Sequence, residues 1–119
     1  QISPRHNQLQ GEFESFLAAK EAMDVQPNKN RVDLQYYEST WEKVLVEIKP
    51  CDSTNARYAI RTAMGQLLDY RQCAEGDKLS LLIVIETKPS KVDQDLATSN
   101  GFGIGYRANG TFTVVWPTP

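Results

Sequence analysis

The stretch from Lys78 to Glu86 is almost entirely apolar through its middle, and it constrains the fold more than any other part of the chain. Such a run is typical of a central β-strand that is covered on both faces. It follows a predicted strand at Lys43–Lys49 and a predicted helix from about Ala56 to Ala74. The apolar stripe of that helix is Ile60, Ala63, Met64, Leu67 and Leu68. Because strand, helix and strand in this order favour a parallel crossover, the sequence predicts an α/β fold.

Hydrophobic periodicity and turn residues predict the remaining elements. These are a helix from Pro4 to about Ala22, a turn at Gln26–Asn30, a strand at Arg31–Glu38, a short helix at Val92–Thr98, and two edge strands at Gly101–Tyr106 and Thr111–Trp116. The short connector after Glu38 predicts an antiparallel hairpin with the strand that follows. We therefore expect a central mixed sheet of four to five strands flanked by helices, in the order α-β-β-α-β and then the two edge strands.

Length and composition fit one domain spanning residues 1–119. The chain starts at Gln1 rather than a methionine, which leaves open that it is a fragment of a longer protein. It contains no apolar run as long as a membrane span, so we expect a soluble protein without a membrane partner. Cys51, Cys73 and His6 lack the spacing of a zinc site, and two cysteines favour a reducing compartment, namely the cytoplasm.

The net charge of −2 argues against a protein that coats nucleic acid through bulk positive charge. It does not exclude a nuclease, because an enzyme that holds a divalent metal on carboxylates is locally acidic. Such an enzyme can take its affinity for DNA from another domain.

Three polar residues carry the candidate chemistry: Asp33, Glu47 and Lys49. Asp33 lies on the polar face of its predicted strand, whereas Glu47 and Lys49, two residues apart, share a face of the next strand. A hairpin in the usual register brings the two carboxylates together, and hard oxygen ligands suit Mg²⁺. A nearby lysine can orient or deprotonate the attacking water.

Each of these residues has a plain structural interpretation when it is taken alone. An aspartate on a polar strand face is usually solvated, and a Glu-x-Lys triplet at the end of a strand is common. Their combination is more specific, because aspartate is depleted in strands and the triplet lies directly before a turn.

The order and spacing of these residues resemble the PD-(D/E)XK, or restriction-endonuclease-like, nuclease superfamily. Asp33 on one strand and the Glu47-x-Lys49 triplet on the next match its signature, with Ile48 as the apolar middle residue. Gln66 and Tyr70 on the following helix look like the Gln-x-x-x-Tyr motif of RecB-like nucleases.

The resemblance implies roles for particular residues. Asp33, Glu47 and Lys49 would be catalytic together with Gln66, and Mg²⁺, with Mn²⁺ as a substitute, would bind Asp33, Glu47 and the backbone carbonyl of Ile48. The family often adds an acid from the first helix, for which Glu14 competes with Glu12. A solvated residue is the more common interpretation of each acid, and Glu14, which shares a polar stripe with His6 and Gln10, is the better candidate if that stripe borders the site. Substrate contacts would come from Tyr70, Arg57 and Arg61.

By this resemblance the chain is expected to be a metal-dependent DNA nuclease domain of restriction, phage defence or DNA repair. Its expected partners are DNA, a second copy in a homodimer, and a DNA-recognition domain or partner protein. Two alternatives stay open: an inactive nucleic-acid-binding or assembly module on the same fold, and an RNA-cleaving relative.

Other conspicuous residues have simpler interpretations. His6 is taken as an ordinary surface residue near a helix start. Trp41 in the hairpin loop could stack on a base, but a tryptophan folded back onto the sheet is the more common arrangement. The glycines at 101, 103 and 105 lack the βαβ context of a nucleotide fingerprint and indicate a strand with close packing neighbours.

Overall fold

The computed structural model describes residues 3–29, 31–74 and 78–118. Within these ranges the helices are α1 Pro4–Ala19, α2 Ala56–Cys73 and α3 Lys91–Thr98. The strands are β1 Met23–Pro27, β2 Leu34–Glu38, β3 Glu42–Lys49, β4 Leu79–Ile85, β5 Phe102–Ala108 and β6 Thr111–Val115. No helix in the described ranges has the length and apolarity needed to cross a membrane.

The strands form one mixed sheet with the order β1-β2-β3-β4-β5-β6. β1, β2 and β3 are antiparallel neighbours, β3, β4 and β5 run parallel, and β6 returns antiparallel to β5. The predicted hairpin and the predicted parallel pairing around α2 are therefore both confirmed. The sheet has six strands rather than four to five, and β5 lies inside the sheet instead of at its edge.

The additional strand is β1, which sequence patterning missed. The first helix ends at Ala19 rather than Ala22, and Glu21 then adopts a φ of 60°. β1 itself is a mostly polar edge strand with an irregular register against β2, and Asp24 within it has a φ of 53°. Such a strand shows no alternation of apolar and polar residues, because neither of its faces is fully buried.

β2 begins at Leu34 instead of Arg31 because the preceding residues form a turn. Arg31 has a φ of 69°, and the Val32 backbone N–H donates to the Lys29 carbonyl over 3.2 Å. Asp33 consequently lies at the open end of the β2–β3 hairpin, just before β2, and not inside a strand. This removes the apparent anomaly of an aspartate in the middle of a good strand.

Two apolar cores sandwich the sheet, one beneath α1 and one beneath α2 and α3. Alternation along β3 sends Val44, Val46 and Ile48 to the α1 side and Leu45 to the α2 side. The predicted stripe on α2 is correct at its buried residues Ile60, Ala63 and Leu67. It is wrong at Leu68, which remains 44% exposed. The helices on both faces explain why β4 is apolar throughout.

Trp41 packs against the sheet, as the more common arrangement predicts. Its ring stacks on Trp116 with 4.6 Å between ring centroids and 18° between planes. Trp116 in turn lies against β5 where Gly103 leaves room: a Cβ at that position would meet the indole at 2.6 Å. The close packing neighbours expected for the glycines of β5 are thus present at Gly103.

The fit between Gly103 and Trp116 predicts a strong effect of a single methyl group. Gly103→Ala should lower the free energy of unfolding by about 1–3 kcal/mol, because the indole must move out of its packed position. Gly11→Ala is the matched control: its Cβ would meet nothing within 4 Å, and helix propensity should make it neutral or stabilising by about 1 kcal/mol. Urea denaturation measures both, and equal stability of the two variants would contradict the packing argument.

Candidate metal and nuclease site

Asp33 is held in place by contacts on both its backbone and its side chain. Its carbonyl oxygen accepts hydrogen bonds from the Asn28 backbone N–H at 3.0 Å and the Gln10 side-chain amide at 3.1 Å. Its carboxylate Oδ2 accepts the Ile48 backbone N–H at 2.8 Å and lies 3.1 Å from His6 Nε2. These contacts come from α1, from the β1–β2 turn and from β3, so the carboxylate has little freedom to move.

Glu47 lies opposite Asp33 and is buried. The β2–β3 register pairs Leu34 with Val46, and one further step in the same register sets Asp33 across from Glu47. The Glu47 side chain is on the α2 side of the sheet, where the residue is only 4% exposed. Its Oε2 lies 3.6 Å from Lys49 Nζ. The structure therefore brings together the three residues predicted to carry the chemistry.

Burial raises the pKa of the Glu47 carboxyl to about 7, and the negative charge of Asp33 adds to this shift. The Lys49 ammonium acts in the opposite direction and offsets part of it. Two carboxylates in a partly desolvated site repel each other, and a bound cation relieves that repulsion. The charge arrangement thus favours a ligand that is positive.

The side of α2 that faces this site carries Gln66 and Tyr70. Burial and then the charge of Glu47 raise the pKa of Tyr70, and a side-chain hydrogen bond with Gln66 offsets part of this rise. The charge of Asp33 also contributes to that rise. The guanidinium of Arg31 lies 5.8 Å from the centre of the Tyr70 ring. Tyr70 of the predicted Gln-x-x-x-Tyr pair therefore feels the charge of both carboxylates, and Gln66 is hydrogen-bonded to it.

Buried polar atoms without a hydrogen-bond partner mark the site. Among the described residues they are His6 Nδ1, Glu47 Oε1 and Gln66 Oε1. Leaving a buried polar group unpaired costs about 1–3 kcal/mol, so such groups require an explanation. The donor set of carboxylate and amide oxygens fits a hard divalent cation. In the described ranges, however, no three His, Cys, Asp or Glu side chains already converge as a metal cage.

His6 is the residue that the sequence interpretation missed. The sequence predicts an ordinary surface residue, yet the His6 side chain is only 13% exposed and contacts Asp33. The signal was the polar stripe of His6, Gln10 and Glu14, which borders the apolar face of α1. Gln10 also contacts Asp33, and its amide reaches Glu14 Oε2 at 3.2 Å. Glu14 is thus linked to Asp33 through the side chain of Gln10. The other acid considered, Glu12, pairs instead with Arg107.

The two arginines predicted to contact substrate lie elsewhere on α2. Arg57 donates to Asp93 of α3 at 3.0 Å. Nine residues separate it from Gln66, which is two and a half helical turns, so it lies on the opposite side of the helix. Arg61 is exposed on the outer surface of α2. Neither arginine is brought to the carboxylates.

Comparisons with known proteins assign no function to this chain. Neither a family model, nor a curated protein, nor a solved structure matches the chain. What the fold and the site define is an α/β protein with a six-stranded mixed sheet and a polar site at the carboxyl end of β3. Ligand sites in open α/β sheets commonly lie at the carboxyl ends of parallel strands.

The raised pKa of Glu47 predicts an unusual dependence of stability on pH. The unfolded chain releases this proton near the ordinary value of 4.5, whereas the folded chain holds it until about pH 7. Without metal, the contribution of Glu47 to stability should therefore be present below about pH 4.5. It should then be lost as pH rises to about 7, by up to roughly 3 kcal/mol.

Glu47→Gln should remove this slope and make the metal-free protein more stable at pH 8. Glu42→Gln is the matched control, since Glu42 lies on the same strand with an exposed side chain. Urea denaturation in EDTA between pH 5 and 8 measures the difference. Parallel pH profiles for the intact protein and Glu47→Gln would contradict the assigned cost of ionising Glu47.

Proposed function

We propose that this chain is a Mg²⁺-dependent nuclease domain that hydrolyses phosphodiester bonds of DNA on a restriction-endonuclease-like core. The observation that carries the proposal is the Asp33 carboxylate, fixed on the Ile48 N–H opposite a buried Glu47, with Lys49 beside it. An ordinary surface ion pair needs neither the burial nor the facing carboxylates. The order of these residues, and the helix with Gln66 and Tyr70 that follows them, resemble those of PD-(D/E)XK enzymes.

Asp33 and Glu47 would hold the metal, and the Ile48 backbone carbonyl would complete the set on β3. His6 would support this set rather than join it, because Mg²⁺ prefers oxygen ligands. Its Nε2 lies 3.1 Å from Asp33 Oδ2, a hydrogen-bond distance that holds the carboxylate in orientation. When bound, Mg²⁺ would supply a Lewis acid for the phosphate and a more acidic water.

Lys49 would act on the attacking water. Its side chain is 23% exposed at the carboxyl end of β3, and Glu47 Oε2 orients its ammonium. From this position it can orient the water and offset negative charge on the phosphate. Gln66 has a buried carbonyl oxygen without a partner, so it can position either the lysine ammonium or a water, with Tyr70 supporting it.

Affinity for DNA would come largely from outside this site. The net charge is −2, and Arg57 is already paired with Asp93. Arg61 remains exposed and can contact a phosphate at the outer surface. A recognition domain, a partner protein or a second copy would supply the rest, and two copies would be needed to cut both strands. Cys51 and Cys73 are free thiols, which supports a reducing compartment such as the cytoplasm.

Removing the lysine amine tests the catalytic claim directly. Lys49→Ala should lower the rate of Mg²⁺-dependent cleavage by about 10²–10⁴-fold, because the attacking water and the phosphate lose their positioned ammonium. Lys91→Ala, which removes an exposed amine on α3, should leave the rate unchanged. The assay compares plasmid DNA, single-stranded DNA and RNA of the same sequence. Preferential cleavage of RNA would favour the RNA-cleaving alternative, and no cleavage at all would favour an inactive binding or assembly module.

Metal affinity tests the role of His6 separately from catalysis. His6→Ala should weaken Mg²⁺ binding by about 10- to 100-fold, because the imidazole orients the Asp33 carboxylate. Gln8→Ala, an exposed polar change on the same helix, should bind Mg²⁺ as the intact protein does. Isothermal titration calorimetry measures both. Binding that survives Asp33→Asn combined with Glu47→Gln would overturn the whole site.

A further inference from the structure

A cavity of about 230 Å³ lies beside Lys49, between the end of β3 and the first half of α2. Its polar wall consists of Lys49, Asn55, Tyr58 and Thr62. Its remaining described lining is apolar, from Pro50, Cys51 and Ala59. Among these described lining residues only Lys49 carries a charge. The cavity and the proposed catalytic site therefore share one residue, and that residue is the lysine.

Tyr58 is the most prominent feature of the cavity, because it is 70% exposed. Tyr58, Thr62 and Gln66 follow one another at intervals of four residues, so they lie along the same side of α2. This stripe runs from Tyr58 at the cavity to Gln66 at the proposed catalytic site, over about 12 Å of helix. An aromatic ring is thus presented to solvent next to the proposed point of cleavage.

We propose that this cavity receives an unpaired nucleobase adjacent to the scissile phosphate, with Tyr58 stacked on the base. The domain would then prefer single-stranded DNA, or unpaired ends of DNA, over an intact duplex. This inference rests on the proposed nuclease function and specifies its substrate. A base within a duplex is stacked between its neighbours, so its face cannot meet a protein ring until it is unpaired.

The polar atoms of the cavity suit the edge of a base. Asn55 Oδ1 accepts the Asp52 backbone N–H at 2.8 Å, which leaves the Asn55 amide N–H groups to donate. The Thr62 hydroxyl donates to the Tyr58 carbonyl at 3.0 Å, which leaves its oxygen to accept. A neutral ligand with donors and acceptors on one edge and a flat apolar face satisfies both groups and the tyrosine.

The charge of the chain makes stacking the more useful contact. Binding to duplex DNA depends mainly on lysine and arginine contacts to phosphates, and this protein is acidic overall. Stacking on an aromatic ring does not depend on net charge and tolerates any base sequence. Tyr58 would therefore hold the strand where electrostatic attraction is weak, while Lys49 faces the phosphate.

The test compares Mg²⁺-dependent cleavage of an end-labelled single strand, its blunt duplex, and the same duplex with an unpaired end. The intact protein should prefer the two substrates that contain unpaired bases. Tyr58→Ala should lower kcat/KM on the single strand by about 5- to 150-fold, mainly through KM, from the stacking contribution of one base. Tyr58→Phe keeps the ring and should stay within about twofold of the intact protein, the scale at which stacking is unaffected.

Val92→Ala serves as the matched control, since Val92 is 68% exposed on α3 and is not among the described residues that line the cavity. It should cleave every substrate as the intact protein does. Equal cleavage of single strand and duplex, or a Tyr58→Ala variant as active as the intact protein, would overturn this inference while the nuclease function stood.

A protein that cuts nothing would instead sink the proposed function. In that case fluorescence anisotropy with a labelled thymidine oligonucleotide in EDTA still decides on the cavity. Binding that weakens in Tyr58→Ala and survives in Tyr58→Phe would support it. Binding that is absent, or indifferent to both changes, would overturn it.

Discussion

The hydrogen bond from the Ile48 backbone N–H to the Asp33 carboxylate joins the parts on which the site depends. Its donor belongs to β3 and its acceptor follows the β1–β2 turn, while His6 approaches the same oxygen from α1. A main-chain donor in a sheet cannot rotate away as a side-chain donor can. The carboxylate is therefore positioned by the sheet itself, with a precision that a flexible loop would not provide.

The same site works against the stability of the fold. Glu47 is buried beside a second carboxylate. Its Oε1 and the Oε1 of Gln66 are buried without a hydrogen-bond partner. A strand residue selected only for packing would be apolar at this position, like Leu45 two residues earlier. Conflicts of this kind between local stability and polar chemistry concentrate at functional sites. A positive ligand would relieve this conflict.

Sequence patterning predicted those parts of the fold in which burial alternates cleanly. β3 has one face under α1 and one under α2, so the alternation of its residues shows which side chains share a face. This alternation correctly placed Glu47 and Lys49 on the same face. β1 escaped prediction because an exposed and irregular edge strand leaves no such pattern. The start of β2 was misplaced because the φ of Arg31 depends on a turn that apolar spacing does not encode. The contact of His6 with Asp33 depends on how α1 docks across the sheet, so the polar stripe of His6, Gln10 and Glu14 marks one side of the helix without showing what that side contacts.

The stacked tryptophans at the other end of β3 provide a built-in optical reporter. The chain contains two tryptophans, and their rings lie against each other. Trp41 precedes β3, whereas Glu47 lies about 20 Å further along the chain at the rise of an extended strand. Exciton coupling between two such close indoles gives a circular dichroism signal that depends on their mutual orientation. That signal reports whether the hairpin loop and the start of β5 are packed together. Because it arises far from Asp33, a cation bound there would not perturb it directly.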